Sequence, residues 1–148
     1  MAIYFPRLKK ITIITPIKHL INVETILSSI PNSKLVYLPN CEIKDFKKHN
    51  DSFTIFTNPN KSNIYLGKNN LASFKNLKYI CTASTGTVHI DKSFCKERGI
   101  NIISLKEERH IINKIPSTAE HAFALMLSSL RNINLATQSI SKNEWNYE

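Results

Sequence analysis

An α/β domain built on a mostly parallel sheet is the fold this sequence predicts, and three observations predict it. Short runs rich in Ile, Val, Thr, Tyr and Phe alternate with stretches of helical spacing, the pattern that strand–helix–strand units leave in a chain. The runs are predominantly apolar, as in Tyr79-Ile80-Cys81, which suits the buried strands of a sheet covered on both faces. At 148 residues the chain is one domain's worth, long enough to bury a core without disulfide or metal staples.

Taken in order, the first strand is expected over residues 11–16, followed by a helix over 23–29 with Asn22 before it as its cap. A strand over 34–38, a helix over 43–49 and a strand over 53–57 come next, then a helix over 71–76 and a strand over 78–83. Asp91 supplies an N-cap for a helix over 92–98, and Gly99 ends it directly before a fifth strand over 101–105. Five strands alternating with helices imply right-handed crossovers and a three-layer sheet covered on both faces. A flavodoxin-like strand order is preferred by analogy. Residues 106–116 form a charged connection ending at Pro116. Ser117 and Glu120 then have capping-box spacing, and Phe123, Met126, Leu127 and Leu130 follow at helical intervals. A long C-terminal helix is therefore expected from residue 117 past 131, with a bend near 132–134.

The bulk numbers narrow the function classes. Hydrophobic residues make up 42% and charged residues 21% of the chain, as in ordinary globular proteins. No apolar run approaches the ~20 residues of a membrane span. The run from Ile11 to Ile17 follows Lys9-Lys10 like a leader peptide, but Pro16 and Lys18 interrupt it and a core strand is the better reading. Cys41, Cys81 and Cys95 are odd in number and widely spaced, which points to structural thiols in a reducing, cytoplasmic compartment and to no metal site. The net charge of +9 comes mostly from lysines scattered along the chain. Without an Arg-rich helix or a recognisable motif, a solvated basic surface is expected rather than nucleic-acid binding.

The segment Cys81-Thr82-Ala83-Ser84-Thr85-Gly86-Thr87-Val88-His89-Ile90-Asp91 carries the chemistry. It reads as a strand ending in a Ser-Thr-Gly turn, then a helix opened by Asp91. Such a turn leaves backbone N–H groups at the carboxyl end of a sheet strand, a place suited to a carboxylate or phosphate. The plain alternative is an ordinary β-to-α turn with Gly86 at positive φ. This segment resembles the substrate loop of the NAD-dependent D-2-hydroxyacid dehydrogenases. Arg98-Gly99-Ile100, the helix head Thr118-Ala119-Glu120-His121, its end Leu130-Arg131-Asn132-Ile133 and the terminal Asn143-Glu144-Trp145 resemble further family blocks in the same order.

The resemblance covers about residues 70–148 well and the first 70 by fold pattern. It implies that residues 1–148 are the substrate-binding lobe of such an enzyme, with about 117–148 a long helix leading to a Rossmann cofactor domain beyond Glu148. It further implies that Ser84, Thr85 and Gly86 meet the substrate carboxylate, and that Thr85 and Thr118 approach the cofactor, NAD or NADP. The family's catalytic Arg, Glu and His belong to the Rossmann domain, so no catalytic residue is expected here. The chain's only glycines are Gly67, Gly86 and Gly99, so a Gly-x-Gly-x-x-Gly turn is absent, no tight cofactor binding is expected of this chain, and alone it should be inactive. The family's last helix returns to this lobe from the far C-terminus. Expected partners are a small 2-hydroxy or 2-keto acid, the Rossmann domain and a second subunit in a homodimer, with no membrane. The helix from Ser117 and the Trp145 end should then present apolar groups. Phosphoglycerate-type members carry an Arg where this chain has Thr82, which weakens a phosphorylated substrate. A second function, from a different class, is a stand-alone flavodoxin-like domain that binds a small anion or regulates without catalysis.

Overall fold

The computed structural model describes residues 8–145, which fall into two compact units divided between Glu108 and Arg109. In the first unit the strands β1 (Lys9–Ile13), β2 (Ser33–Tyr37), β3 (Thr54–Thr57), β4 (Tyr79–Thr82) and β5 (Asn101–Ser104) form one sheet in the order β2-β1-β3-β4-β5. Every neighbouring pair is parallel, so this is the flavodoxin-like order. All five strands lie where the apolar runs put them, within a residue or two at most ends.

Alternation along each strand sorts the side chains between two faces. Ile14, Ile55 and Ile80 point to the face where Phe46 of α2 (Ile43–Lys47), Leu71 of α3 (Lys68–Leu71) and Phe94 and Cys95 of α4 (Lys92–Glu97) complete the main core. On the other face Ile11 and Ile13 pack with Ile17, and with Val23 and Leu27 of α1 (Val23–Ser28). Among the described residues of this unit α1 is the only helix on that face, and Phe56 and Cys81 there are half-buried while Tyr79 and Ile103 are exposed. The sheet is thus covered on both faces, as expected, but more thinly on this one. Ile11, Leu27, Ile30, Phe56, Tyr79 and Cys81 line a depression of about 290 Å³ there.

Local signals succeed and fail for identifiable reasons. Asp91 caps α4 as expected, its carboxylate accepting from the Phe94 N–H at 3.0 Å, and Gly99 ends that turn at φ +64°. Asn22 occupies the cap position of α1 but sits in the left-handed region with no side-chain cap bond. The helix expected over 71–76 instead begins at Lys68 and ends at Leu71. Leu66 is tied on both sides, its N–H to the His89 carbonyl and its carbonyl to the Asp91 N–H. The helix therefore starts right behind it, and Phe74 and Leu77 reach the core from turns.

In the second unit a short α5 (Arg109–Ile112) precedes α6 (Ser117–Leu130) and α7 (Ile133–Ser141). The capping box does not form. Pro116 already has helical φ and ψ and its carbonyl accepts from the Glu120 N–H at 2.9 Å, which moves Ser117 from the cap into the first turn. Nor does the helix run past Arg131: Asn132 adopts φ 49° and starts α7 afresh, a conformation Asn tolerates better than most residues. Neither α6 nor α7 contains a buried residue. Phe123 is 63% exposed, and Leu130 and Trp145 are 70% exposed.

Candidate functional site at the carboxyl edge of the sheet

The turn after β4 is anchored by the strands on both sides of it. The Ala83 N–H donates to the Thr57 carbonyl of β3 at 3.1 Å, and the Leu105 N–H, just after β5, donates to the Ser84 carbonyl at 3.1 Å. Further on, Ile90 N–H closes a turn on the Thr87 carbonyl, and Leu66 and Ile90 form an isolated bridge. Between these anchors Thr85 and Gly86 are exposed. Among the described residues no N–H from Ser84 through His89 donates to a protein acceptor. Unpaired amides on an open turn are what a carboxylate needs.

The side chains beneath the turn are polar and close-knit. Thr82 is 4% exposed; its hydroxyl lies 3.0 Å from that of Ser84, which donates to the Gly86 carbonyl at 2.6 Å. Thr57, the registered neighbour of Thr82 on β3, is buried with its hydroxyl unpaired, as is Thr15 beyond β1. Sequence reasoning missed Thr82 as part of this arrangement. The signal was the recurrence of Thr or Ser where β3, β4 and β5 end, at Thr57, Thr82 and Ser104.

The sequence-predicted residues divide between the two units. Ser84, Thr85 and Gly86 share the turn of the first. Thr118 is the second residue of α6 in the second, and exposed. Gly86 is not at positive φ; Gly99 is the only glycine of the described residues that is. A Cβ at Gly86 would meet no atom within 4 Å. The conformational need for glycine at 86 that the sequence suggested is therefore absent.

Burial keeps the cysteines and two histidines of the first unit in their neutral forms. Burial pushes the Cys81 and Cys95 thiols up, and Cys41 likewise, so all three stay protonated and poorly nucleophilic at neutral pH. Both ring nitrogens of His89 are buried without a partner, and burial lowers its pKa. His49 is lowered by burial first and by Lys10 second. A histidine depressed in the fold binds fewer protons than in the unfolded chain, so its contribution is complete above the unfolded pKa of about 6.5 and lost as pH falls through the folded value. Melting temperatures should accordingly be level above pH 7 and fall as pH drops below about 6.5, and His89→Gln with His49→Gln should flatten that slope. Equal melting temperatures at pH 7 and 5 would contradict this. No cluster of three or more His, Cys, Asp or Glu side chains is placed to hold a metal among the described residues, and none of their helices is long and apolar enough to cross a membrane.

An all-parallel β2-β1-β3-β4-β5 sheet defines a flavodoxin-like α/β domain, a class in which ligands generally sit at the carboxyl edge of the sheet. The comparison with known proteins is more specific. The model of the D-isomer specific 2-hydroxyacid dehydrogenase catalytic domain matches residues 55–142, and the chain belongs to that family. It is 39% identical to D-3-phosphoglycerate dehydrogenase of Archaeoglobus fulgidus over 71 residues, 48% of this chain and 12% of that one. It is 31% identical to formate dehydrogenase of Candida boidinii over 105 residues, 70% of this chain and 28% of that one. The fold matches that of an NAD-dependent formate dehydrogenase from Staphylococcus aureus in complex with NAD, with a TM-score of 0.73 and 24% identity over 93% of this chain and 43% of the other. A glyoxylate reductase from Paecilomyes thermophila gives a TM-score of 0.75 at 22% identity, over 97% of this chain and 44% of that one. The chain thus spans less than half the length of these relatives.

Proposed function

We propose that this chain is the substrate-binding lobe of an NAD- or NADP-dependent D-2-hydroxyacid dehydrogenase, in which hydride passes between C2 of a 2-hydroxy acid and the nicotinamide. The observation that carries it is the turn at residues 84–86, with its unpaired amides, inside the family match. Its amides take the acid's carboxylate and hold C2 in place, while Thr85 and Thr118 meet the cofactor. A small unphosphorylated acid fits best, because the position where phosphoglycerate-type members carry a cation is the buried Thr82. Apart from the contacts of Thr85 and Thr118, this chain offers no seat for the cofactor's pyrophosphate. A dinucleotide pyrophosphate needs a glycine-rich turn at a helix N-terminus. Here Gly67 precedes a four-residue helix, with a Cβ there meeting the Tyr65 ring at 2.6 Å, and Gly99 ends a helix. These residues do not fit the dinucleotide. The proton-transferring groups would likewise come from a cofactor domain, and the exposed apolar groups of α6 offer it a surface to cover.

The test has two readouts on the purified 148-residue chain. Glyoxylate or pyruvate should bind weakly and saturably, whereas inorganic phosphate should not compete. No oxidation or reduction of any 2-hydroxy or 2-keto acid with NAD or NADP should occur above a heat-treated control. Phosphate binding in preference to the keto acid would favour a stand-alone anion-binding domain, and turnover would show that the chain holds its own catalytic groups.

A further inference from the structure

We infer that Ser84 and Thr82 are positioning residues, and that the Thr87 N–H they orient is a carboxylate donor alongside that of Thr85. The inference deepens the proposed function and rests on its assignment of the turn to the substrate carboxylate.

The direction of the hydroxyl chain follows from valence. The Gly86 carbonyl can only accept, so the Ser84 hydroxyl spends its proton there, at 2.6 Å. In the 3.0 Å contact between the two hydroxyls, Thr82 is then the donor, because a hydroxyl has one proton and two acceptor sites. The chain of donation runs from Thr82 to Ser84 to the Gly86 carbonyl. It begins at a side chain that is almost fully buried at the end of a central strand, where it cannot drift.

Peptide geometry carries that order to the opposite side of the turn. The described chain has no cis peptide bond, and in a planar trans peptide the N–H points opposite to the C=O. Fixing the Gly86 carbonyl on Ser84 therefore aims the Thr87 N–H away from the protein-side hydroxyl. The same reasoning applies one step earlier. The Ser84 carbonyl is held by the Leu105 N–H at 3.1 Å, which aims the Thr85 N–H away from the β5 edge. Neither amide has a protein acceptor. Two peptide units of the turn are thus locked by their carbonyls and two donors are set in advance of any ligand. The peptide between Thr85 and Gly86 has no such lock. Donation along the hydroxyl chain also polarises the Gly86–Thr87 peptide, strengthening its N–H as a donor. Ser84 acts through that peptide, its own proton already committed, rather than by touching the acid.

The test is a glyoxylate titration of the ¹⁵N,¹³C-labelled 148-residue chain, followed by nuclear magnetic resonance, with chloride as control. The amides of Thr85 and Thr87 should move saturably in the wild type. Ser84→Ala and Thr82→Val should each weaken glyoxylate about fivefold or more, the effect of misplacing one charge-assisted donor. Both should shift the Gly86 carbonyl ¹³C resonance before ligand is added, and Thr82→Ser should restore both properties. A folded Ser84→Ala chain that titrates like the wild type overturns the inference, as does a silent Thr87 amide while Thr85 and Gly86 respond; the carboxylate assignment survives either result. A turn that does not respond at all removes both. If Thr82→Val fails to fold, the half-buried Ser84 still decides.

Discussion

Phe46→Ala should cost the chain about 3–5 kcal/mol, the usual penalty for deleting a fully buried phenylalanine. Phe46 has no exposed surface, and its ring stacks on that of Phe74 with centroids 4.8 Å apart and planes at 27°. The pair joins α2 to the turn after α3, both beneath the sheet face that carries Ile14, Ile55 and Ile80. Two effects add. Removing the ring forfeits its transfer free energy and leaves a cavity in a packed core, and the ring–ring contact itself is worth about 0.5–1.5 kcal/mol. α2 is only five residues long and has no stability of its own, so Phe46 is what holds it. Against a total stability of about 5–15 kcal/mol for a domain, the loss is large. Urea denaturation should show the midpoint falling, while Ile26→Ala, on the exposed side of α1, should change stability by about 0.5 kcal/mol or less. An unchanged midpoint for Phe46→Ala would mean that this core is not as packed as its burial indicates.

The residues that set this core were legible in the sequence because strand position depends on short-range composition. β-branched runs bounded by polar turns give all five strands, and a parallel order follows from the helices between them. What escaped was decided by interactions between distant residues. The start of α3 is fixed by the Leu66 backbone pairing with residues 89 and 91, which no local pattern contains. The capping box at Ser117 failed because Pro116 was already helical, whereas the break at Asn132 falls within the bend expected near 132–134 and is sharper than a bend, a left-handed residue that starts a new helix. A Ser-Thr-Gly turn at 84–86 is legible from its residue types, but the positive φ of the plain alternative is absent at Gly86. The order of the turn comes instead from the hydroxyls of Thr82 and Ser84 and from the Leu105 N–H, groups that motif spacing does not weigh.

That correction sharpens the expected behaviour of Gly86→Val in a complete enzyme containing this lobe. The substitution should lower kcat/KM for the acid about tenfold or more by raising KM, and leave the dissociation constant for the cofactor nearly unchanged. Charge-assisted amide contacts are worth about 1.5–3 kcal/mol each, and 1.4 kcal/mol is about tenfold in rate, so impeding one contact suffices. The structure separates this from misfolding. A Cβ at 86 meets nothing within 4 Å, and φ there is not positive, so the first added carbon is accommodated and the loss is expected in acid binding rather than in folding. Gly99 is the contrast: at φ +64°, Gly99→Val should cost about 1–2 kcal/mol of stability with little direct effect on acid binding. The two variants should therefore dissociate, one losing affinity at an unchanged melting temperature and the other losing melting temperature at an unchanged KM. A Gly86→Val enzyme with the acid kinetics of the wild type would show that a side chain on the open face of the turn obstructs nothing, and the turn would then serve only to connect β4 to α4.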